Sequence, residues 1–314
     1  MRRRALLLIN PLSRSGQTVG AQAAQQLRTQ SLDVIEAPIE KLPLLSETIC
    51  RYRDRVDFVI IAGGDGTLRF AIEGLLSTGL PVGILPLGTA NNLARSLGIP
   101  TRLSQACQTV ATGTVRAIDL GIVNGHYFFN VAGIGLSADI NRCVSRKAKH
   151  RWGVLAYIAT AVQVFQRAKS LNVTIRYWPK PDSQQLELQQ AHESTLNTQT
   201  LNAQTFSLKV KQITVCNGRY YGSGLIVADD AAIDDARLDL YGFDIQHWQQ
   251  VLRLLPELRW GHHSALPNVL YLAGNRFMIK TNSPCPVDAD GEILTTTPAT
   301  FEVKPKAISV LVPR

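Results

Sequence analysis

The first hundred residues alternate between short apolar runs and amphipathic stretches, and this alternation restricts the fold more than any other feature of the sequence. Apolar runs lie at 5–9, 31–38, 56–63 and 81–88, and helical periodicity follows at 18–30, 44–53, 68–76 and from 90 onward. Continuous apolar strands separated by helices are typical of a parallel sheet covered on both faces. The sequence therefore predicts a doubly wound α/β domain at the start of the chain.

Three of these strands are followed by polar loops that contain glycine: NPLSRSG at 10–16, GGDGT at 63–67 and LGTANN at 87–92. Ligands of open parallel sheets bind at the carboxyl ends of the strands. The glycines of GGDGT leave backbone N–H groups open to a polyphosphate, and a helix begins just after them. The loops therefore predict a phosphate site.

The loop GGDGT carries a carboxylate where a lysine is usual, because the P-loop pattern G-x-x-x-x-G-K-[ST] occurs nowhere in the sequence. A bare phosphate would be repelled by Asp65. Magnesium removes the conflict, since it is commonly held by a carboxylate together with phosphate oxygens. We expect Thr67 to donate a hydrogen bond or to cap the helix.

From about residue 115 the pattern changes to alternating segments joined by polar turns. The stretch AIDLGIVNGHYFFNVAGIG predicts a hairpin with Asn124-Gly125 as its turn. Further strands are predicted within 170–178, 206–218, 236–243, 275–281 and 299–305, with helices at 150–169 and 245–260 and an exposed loop at 180–205. We expect a β-sandwich domain at 119–299, while 1–118 and 300–314 form the α/β domain.

The charge balance favours anionic partners, because 33 Lys and Arg oppose 24 Asp and Glu for a net charge of +9. Five scattered cysteines without a C-x-x-C pair argue against a disulfide framework and against zinc, and indicate reduced thiols in the cytosol. The apolar run in MRRRALLLIN is too short for a signal peptide. No apolar stretch has the length of a membrane span.

Six motifs, in order along the chain, resemble the diacylglycerol kinase catalytic-domain family, specifically the bacterial soluble lipid kinases. They are INPLSRSG (9–16), AGGDGTLRFAIEGL (62–75), GILPLGTANNLARSLGIP (83–100), DLGIVNGHYFFNVAGIGLSADI (119–140), NGRYYGSG (217–224) and DADGE (288–292). The resemblance covers essentially the full length. It implies a nucleotide-binding domain similar to NAD kinases and phosphofructokinases, followed by a β-sandwich that takes the lipid.

The resemblance implies transfer of the γ-phosphate of ATP, with Mg²⁺, to a lipid hydroxyl, with diacylglycerol giving phosphatidic acid as the favoured reaction. It places Asn10, Ser13, Ser15, Gly16, Gly63, Gly64, Gly66, Thr67, Gly88, Thr89 and Asn91 at the nucleotide. It implies Asp290 as general base with Glu292 beside it, and Asp65 as a catalytic carboxylate acting through Mg²⁺. Asn92 stands where many relatives carry aspartate.

Several alternatives stay open at this point. The acceptor could be a sphingoid base, ceramide, phosphatidylglycerol or a polyprenol, because the sequence does not expose the shape of the acceptor pocket. An NAD kinase would use a soluble acceptor, but it does not account for GTANNLAR or for the long β half. A catalytically silent lipid-binding regulator would keep the fold without turnover.

The acidic run at 228–240 resembles a family segment that can hold a structural Mg²⁺. Asp234, Asp235 and Asp239 could supply its ligands, although Asp229 and Ala236 replace the usual proline and glycine. The alternative is a solvated acidic turn.

A basic run precedes a stretch without charge at 153–166, and consists of Arg142, Arg146, Lys147, Lys149 and Arg151. Basic residues beside an apolar helix suit an anionic membrane face, and a core helix flanked by a solvated loop is the equal alternative. We expect a cytoplasmic protein, peripheral at the inner membrane face, without a nucleic-acid partner. Both a monomer and a homodimer stay open.

Overall fold

The computed structural model describes residues 2–11, 13, 16–39, 41–137, 170–179, 203–221, 225–226, 231–244 and 269–314. The chain divides into two compact units. Unit 1 comprises residues 1–120, 222–224 and 305–314, and unit 2 comprises residues 121–221 and 225–304.

Unit 1 alternates strands and helices along the chain. Its elements are β1 (Arg4–Ile9), α1 (Gly16–Thr29), β2 (Asp33–Pro38), α2 (Leu45–Arg51), β3 (Phe58–Gly63), α3 (Asp65–Thr78), β4 (Val82–Pro86), α4 (Asn92–Ser96) and α5 (Leu103–Thr112). The strands pair in parallel in the order β2-β1-β3-β4. The end of strand β17 (Ala299–Val312) extends this parallel sheet, where Val310 pairs with Val82.

The sheet of unit 1 is covered by helices on both faces, since α1 packs with α5 and α2 with α3. On the first face, side chains of β1 such as Leu7 pack with Leu27 of α1 and Val110 of α5 in one apolar cluster. All six residues of β3 are buried, as expected for a central strand of a parallel sheet. The predicted doubly wound α/β architecture is confirmed.

Two local predictions in unit 1 need correction. Helix α3 begins at Asp65 and not at Leu68, so the glycine turn before it is shorter than predicted. Helix α5, at Leu103–Thr112, was missing from the prediction. Its buried positions Ala106, Cys107 and Val110 have helical spacing, but Thr and Gln separate them and weaken the apolar signal.

Unit 2 is built from strands. They are β5 (Thr114–Val123), which begins in unit 1, β6 (His126–Phe128), β7 (Val131–Gly135), β8 (Leu171–Pro179), β9 (Gln204–Val210), β10 (Gln212–Cys216), β11 (Tyr220–Tyr221), β12 (Leu225–Ile226), β13 (Leu238–Phe243), β14 (Val269–Thr281), β15 (Pro286–Ala289), β16 (Glu292–Thr296) and the first part of β17. The strand order is β16-β15-β7-β10-β13-β14-β17, and β8 and β9 continue outward from β14.

One apolar core unites the strands of unit 2. It includes Ile134 of β7, Val215 of β10, Leu240 of β13, Phe277 of β14 and Ile175 of β8, all of them completely buried or nearly so. Neighbouring strands pair in antiparallel fashion. Strand packing around one core confirms the prediction of a β-sandwich.

The hairpin between β5 and β6 has the predicted turn. Val123 pairs with His126, and Asn124 and Gly125 have φ values of 47° and 85°. Two positive φ values define the mirror-image turn that an Asn-Gly pair favours. The predicted helices at 150–169 and 245–260 and most of the loop at 180–205 lie outside the described residues.

Candidate active site

The loop after β1 is fastened to the loop after β3 through Asn10. Its backbone N–H donates to the carbonyl of Ala62 at 3.0 Å, and its side-chain Nδ2 donates to Thr67 Oγ1 at 2.8 Å. Ser13 folds back on the same residue, because its hydroxyl donates to the carbonyl of Asn10 at 2.8 Å. Both Asn10 and Thr67 are buried. Thr67 therefore accepts a hydrogen bond from Asn10. The N-cap of α3 is Gly64 and not Thr67, and no side chain caps this helix.

Two glycines of the GGDGT loop lack a side chain for different structural reasons. A Cβ on Gly63 would lie 2.6 Å from Thr67 Oγ1 and would displace that side chain. A Cβ on Gly66 would meet no atom within 4 Å, so the backbone of α3 faces open space there. Gly63 is therefore needed for packing within the fold, and Gly66 leaves room for a ligand.

Asp65 binds the start of helix α4. Its Oδ2 accepts the N–H of Asn92 at 3.0 Å, and its Oδ1 accepts the N–H of Leu93 at 3.1 Å. A carboxylate at the first N–H groups of a helix is favoured by hydrogen bonding and by the helix dipole. Asp65 thus joins the loop after β3 to the loop after β4.

The loop after β4 is closed on itself by Asn91. Its Oδ1 accepts the N–H of Gly88 at 3.0 Å, and its Nδ2 donates to the carbonyl of Gly88 at 3.0 Å. Asn91 has a φ of 51°, in the left-handed region that asparagine tolerates better than most residues. A Cβ on Gly88 would lie 2.6 Å from the Cα of Gly64. The two loops therefore touch backbone to backbone.

The other residues that were predicted to line the nucleotide are described by their position alone. Gly16 is the first residue of α1, and Thr89 is exposed on the loop after β4. Ser15 lies outside the described residues. The structure thus brings Asn10, Ser13, Gly63 to Thr67, Gly88 and Asn91 to the carboxyl edge of one parallel sheet, and their contacts with a nucleotide stay predictions.

This edge fits a polyphosphate with its magnesium ion. It combines the open face of α3 at Gly66, the N-terminus of that helix and one carboxylate, Asp65. Backbone N–H groups and a helix start suit phosphate oxygens. A carboxylate and phosphate oxygens are the usual partners of Mg²⁺.

In unit 2, Asp290 holds the start of strand β7. Its Oδ2 accepts the N–H of Phe129 at 2.7 Å, and its Oδ1 accepts the N–H groups of Asn130 at 3.0 Å and Val131 at 3.3 Å. The backbone N–H of Asp290 donates to the carbonyl of Val131 at 2.9 Å. Three N–H groups fix the orientation of this carboxylate. Glu292, predicted beside it, begins β16 two residues later.

Two buried asparagines next to Asp290 were missed by the sequence analysis. The carbonyl of Asn130 accepts the N–H groups of Asn217 at 2.8 Å and Gly218 at 2.9 Å. Asn217 Nδ2 donates to the carbonyl of Phe129 at 2.7 Å. Both asparagines are 2% exposed. The Asn-Gly pair at 217–218 was the signal available in the sequence, because such pairs mark tight turns.

The acidic run brings a guanidinium between two of its carboxylates. Arg237 Nε lies 3.6 Å from Asp235 Oδ2 and 3.1 Å from Asp239 Oδ1, and the Tyr271 hydroxyl donates to Asp239 at 2.8 Å. Across the described ranges, no three His, Cys, Asp or Glu side chains gather as a metal would require. Magnesium binding by Asp234, Asp235 and Asp239 stays a prediction, and Asp229 is outside the described residues.

Burial dominates the ionisation of Asp239. The residue is 1% exposed, and this burial raises the pKa of its carboxyl from 3.8 to about 6, against the lowering effects of Arg237 and Tyr271. Desolvation penalises the charged form of an acid. The neighbouring Ala236 has a φ of 57°, a conformation that glycine adopts without cost.

The described helices contain none that is both long and apolar enough to cross a membrane. The basic run at 142–151 lies outside the described residues.

Family models identify both halves of the chain. Residues 4–123 match the diacylglycerol kinase catalytic domain. Residues 130–312 match the YegS C-terminal NAD kinase beta sandwich-like domain, and this second match spans more than half of the 314 residues.

Relatives and a solved structure agree with these models. A diacylglycerol kinase from Bacillus subtilis is 27% identical over 261 residues, which are 82% of this chain and 78% of the relative. An uncharacterized protein from Synechocystis is 30% identical over 264 residues, or 82% of this chain, which spans only 55% of that longer relative. The crystal structure of a diacylglycerol kinase from Bacillus anthracis has a TM-score of 0.76 at 21% identity, covering 99% of this chain and 97% of the other. That likeness shows the fold, and the family models show that the chain belongs to the diacylglycerol kinase-like family of lipid kinases.

Proposed function

We propose that this kinase transfers the γ-phosphate of ATP to the hydroxyl of a lipid alcohol, with diacylglycerol as the acceptor and phosphatidic acid as the product. One observation supports nucleotide binding by unit 1, namely the hydrogen-bonded loops at the carboxyl edge of its parallel sheet. Asn10 joins the loop after β1 to the loop after β3, and Asp65 joins the loop after β3 to the start of α4. Asn91 closes the loop after β4 on itself, and the backbone at Gly66 is left open.

In this reaction unit 1 binds the nucleotide. Backbone N–H groups around Gly64 and Gly66 would bind phosphate oxygens, and Asp65 would hold the magnesium ion. Bound Mg²⁺ supplies positive charge that offsets the phosphates. Because the loops are already joined by hydrogen bonds, little conformational freedom is lost when the nucleotide binds.

Asp290 of unit 2 acts as the general base in this proposal. Its carboxylate accepts the proton of the lipid hydroxyl, the lipid oxygen bonds to the γ-phosphorus, and the bond to the β-phosphate oxygen breaks to release ADP. A base must be held in a fixed orientation. The three N–H groups of residues 129–131 give the carboxylate this orientation.

Direct transfer tests the function. Labelled γ-phosphate of Mg·ATP is offered to diacylglycerol, ceramide, a sphingoid base, phosphatidylglycerol and a polyprenol in mixed micelles, with NAD as a soluble acceptor. We expect transfer to diacylglycerol, lost in Asp65→Ala and Asp290→Asn. Transfer to NAD alone would support a soluble kinase, and binding of ATP without any transfer would support a silent regulator.

Gly66→Ala separates nucleotide binding from folding. Its Cβ enters open space, so the free energy of unfolding should be unchanged or rise by up to about 1 kcal/mol, the usual gain of alanine over glycine in a helix. If phosphates lie against this backbone, the Kd for ATP rises about tenfold or more. Gly63→Ala is the opposite control, because its Cβ meets Thr67 inside the fold. An unchanged Kd in Gly66→Ala would contradict the assigned phosphate position.

Peripheral binding to an anionic membrane belongs to the same proposal. It is supported by the net charge of +9 and the basic run at 142–151 in the sequence. Co-sedimentation with vesicles should be strong when they contain phosphatidylglycerol and weak with phosphatidylcholine alone. Equal binding to both vesicle types would remove the electrostatic part of the proposal.

A further inference from the structure

Strand β14 takes part in both sides of the sandwich in unit 2. Its first half, up to Gly274, pairs with β13, and its second half, from Arg276 onward, pairs with β8 and β17. The register with β8 shifts between these two residues. Strands β9, β8, the second half of β14 and β17 therefore form one side of the sandwich.

This side of the sandwich has one face on the apolar core, where Ile175, Phe277 and Phe301 are completely buried. Neighbouring side chains of a strand point to opposite faces. The residues between the core positions therefore lie on the opposite face, which we call the outer face. On it, the register places Trp178 beside Arg276, Arg176 beside Met278 and Thr174 beside Lys280.

The outer face is open to solvent. Its polar positions on three strands are exposed, as Ser207, Arg276 and Lys280 show, and the apolar side chains of Trp178 and Met278 are only partly buried. Trp178 and Met278 lie on the two middle strands, β8 and β14. Two apolar groups therefore reach the surface among polar ones.

The outer face carries an excess of positive charge. Among its described residues, the one carboxylate of Glu302 stands against five cations, which are Arg176, Lys209, Arg276, Lys280 and Lys304. Glu302 Oε1 lies 3.2 Å from Arg276 Nε, with both side chains 45% exposed. An ion pair this exposed contributes little, so the face stays attractive to an external anion.

Trp178 is stacked with two guanidinium groups. The Cζ atom of Arg276 lies 4.9 Å from the ring centroid, and that of Arg176 lies 5.1 Å from it. A guanidinium that places its flat face on a ring directs its N–H groups sideways, in the geometry that suits phosphate. The tryptophan therefore orients two side chains of the kind that bind phosphate.

These properties together fit the surface of an anionic membrane. Cations near a membrane attract acidic head groups, and tryptophan is enriched where head groups meet acyl chains, because its ring is apolar and its N–H is polar. A nucleic acid would match the cations but would leave Met278 without a complementary group. A membrane matches both the cations and the apolar pair between them.

We propose that the outer face of unit 2 is a docking surface for the acidic phospholipids of a membrane. Arg176, Arg276 and the lysines of this face bind head-group phosphates, and Trp178 inserts between the head groups. The inference rests on the proposed lipid kinase function, whose acceptor resides in a membrane. It names a surface separate in sequence from the basic run at 142–151, and one without a part in the phosphate transfer itself.

Vesicle binding by two variants of equal net charge tests the inference. Lys209→Gln/Lys280→Gln removes two cations of the outer face, and Arg51→Gln/Arg53→Gln removes two exposed cations of unit 1. On vesicles that contain phosphatidylglycerol, the first variant should bind about 25-fold more weakly than wild type, about fivefold for each cation. The second variant should bind like wild type. Equal losses in both variants would show that net charge acts without a defined surface, and would overturn the inference.

Fluorescence quenching locates Trp178 at the membrane. Brominated phospholipid in the same vesicles quenches a tryptophan that inserts among the head groups, so the quenched signal of wild type should be reduced in Trp178→Phe. Phenylalanine keeps a ring for the two arginines, so the strand pairing should be unchanged. Quenching of the same amplitude in wild type and Trp178→Phe would contradict the insertion of Trp178.

Vesicles without diacylglycerol and buffers without ATP separate docking from turnover. If wild type transfers phosphate to no lipid, but Lys209→Gln/Lys280→Gln still loses vesicle binding, the docking surface stands and the kinase reaction falls. If transfer to diacylglycerol is found and this variant binds vesicles like wild type, the inference falls and the function stands. A variant that loses affinity for a short labelled RNA, with vesicle binding unchanged, would assign the face to nucleic acid and overturn the inference.

Discussion

Asp65 in unit 1 and Asp290 in unit 2 perform the same structural task with different backbones. Each carboxylate accepts N–H groups from another segment, two for Asp65 and three for Asp290. Asp65 is an ordinary first residue of a helix. Asp290 has a φ of 48°, a conformation that costs most residues about 1–2 kcal/mol. The less favourable backbone coincides with the larger set of hydrogen bonds.

The partners of the two aspartates also differ in distance along the chain. Those of Asp65 lie 27 and 28 residues away, whereas those of Asp290 lie 159 to 161 residues away. The number of accepted N–H groups decides the expected order, because the loss of Asp290 leaves three groups without their acceptor and the loss of Asp65 leaves two. Asp290 should therefore contribute more to stability than Asp65, and substitutions can test this order.

The largest effect is expected for Asp290→Ala. Three N–H groups lose their acceptor, and because solvent can replace part of the bonding, we expect a loss of about 3 kcal/mol in the free energy of unfolding. Urea denaturation measures this loss. Asp290→Asn keeps one acceptor oxygen and should lose about half as much. Equal stability of wild type and Asp290→Ala would show that water satisfies the strand start equally well.

Asp239 is paired with the guanidinium of Arg237 and not with backbone N–H groups, and its contribution to stability should depend on pH. Asp239 has a folded pKa of about 6 against an ordinary value of 3.8, so the folded protein holds this proton more tightly. Its contribution to stability is present below pH 4 and is lost as the pH rises to 6. The loss amounts to about 3 kcal/mol for two pKa units.

The difference between wild type and Asp239→Asn isolates this titration. Their unfolding free energies, measured from pH 4 to pH 7, should diverge because the amide cannot ionise. Asp57→Asn, at an exposed carboxylate bonded to the N–H of Arg4, is the matched control. Parallel curves for wild type and Asp239→Asn would show that Arg237 fully compensates the buried charge.

Asp65→Asn should cost about 1–2 kcal/mol, because the amide oxygen accepts one of the two N–H groups at the start of α4. Hydrogen exchange at Asn92 and Leu93 should become faster, while exchange in β3 stays unchanged. A loss larger than that of Asp290→Ala would reverse the order expected from the number of accepted N–H groups.

The smallest effect is expected for Ala236→Gly. Ala236 shares a positive φ with Asp290, at 57° and 48°, but alanine has no side-chain acceptor that could offset the strain. Glycine should relieve about 1 kcal/mol of strain and lose part of it to chain entropy, for a net gain of about 0.5 kcal/mol. Thermal melting detects this gain. A lower melting temperature would show that the Ala236 methyl group contributes packing.

The sequence was most informative where the signal is local. Apolar runs and glycine loops predicted the parallel sheet and the three loops of unit 1, and Asn124-Gly125 predicted its turn. Glycine and apolar periodicity act within a few residues, so one sequence is enough to find them.

The sequence did not indicate which distant segments of the chain contact each other. No pattern near Asp290 indicates that its carboxylate binds the N–H groups of Phe129 and Asn130, and none near Asp65 indicates the start of α4. Such pairs are determined by strand register and loop closure in three dimensions. Gly133 in β7 was a usable signal, because glycine inside a strand marks a close approach of another group. A Cβ there would lie 2.8 Å from Asp288 Oδ1, but the pairing of Gly133 with Asp288 could be found only from the strand register.

The contact between Gly64 and Gly88 has a consequence for how the family can change over time. The Cα atoms meet where two loops cross, so neither position can gain a methyl group without moving the other loop. In a library of single substitutions, both would appear as intolerant as catalytic residues although neither carries a reactive group. Only paired changes that widen the crossing would be viable, so these two positions should change together or not at all during the divergence of the family.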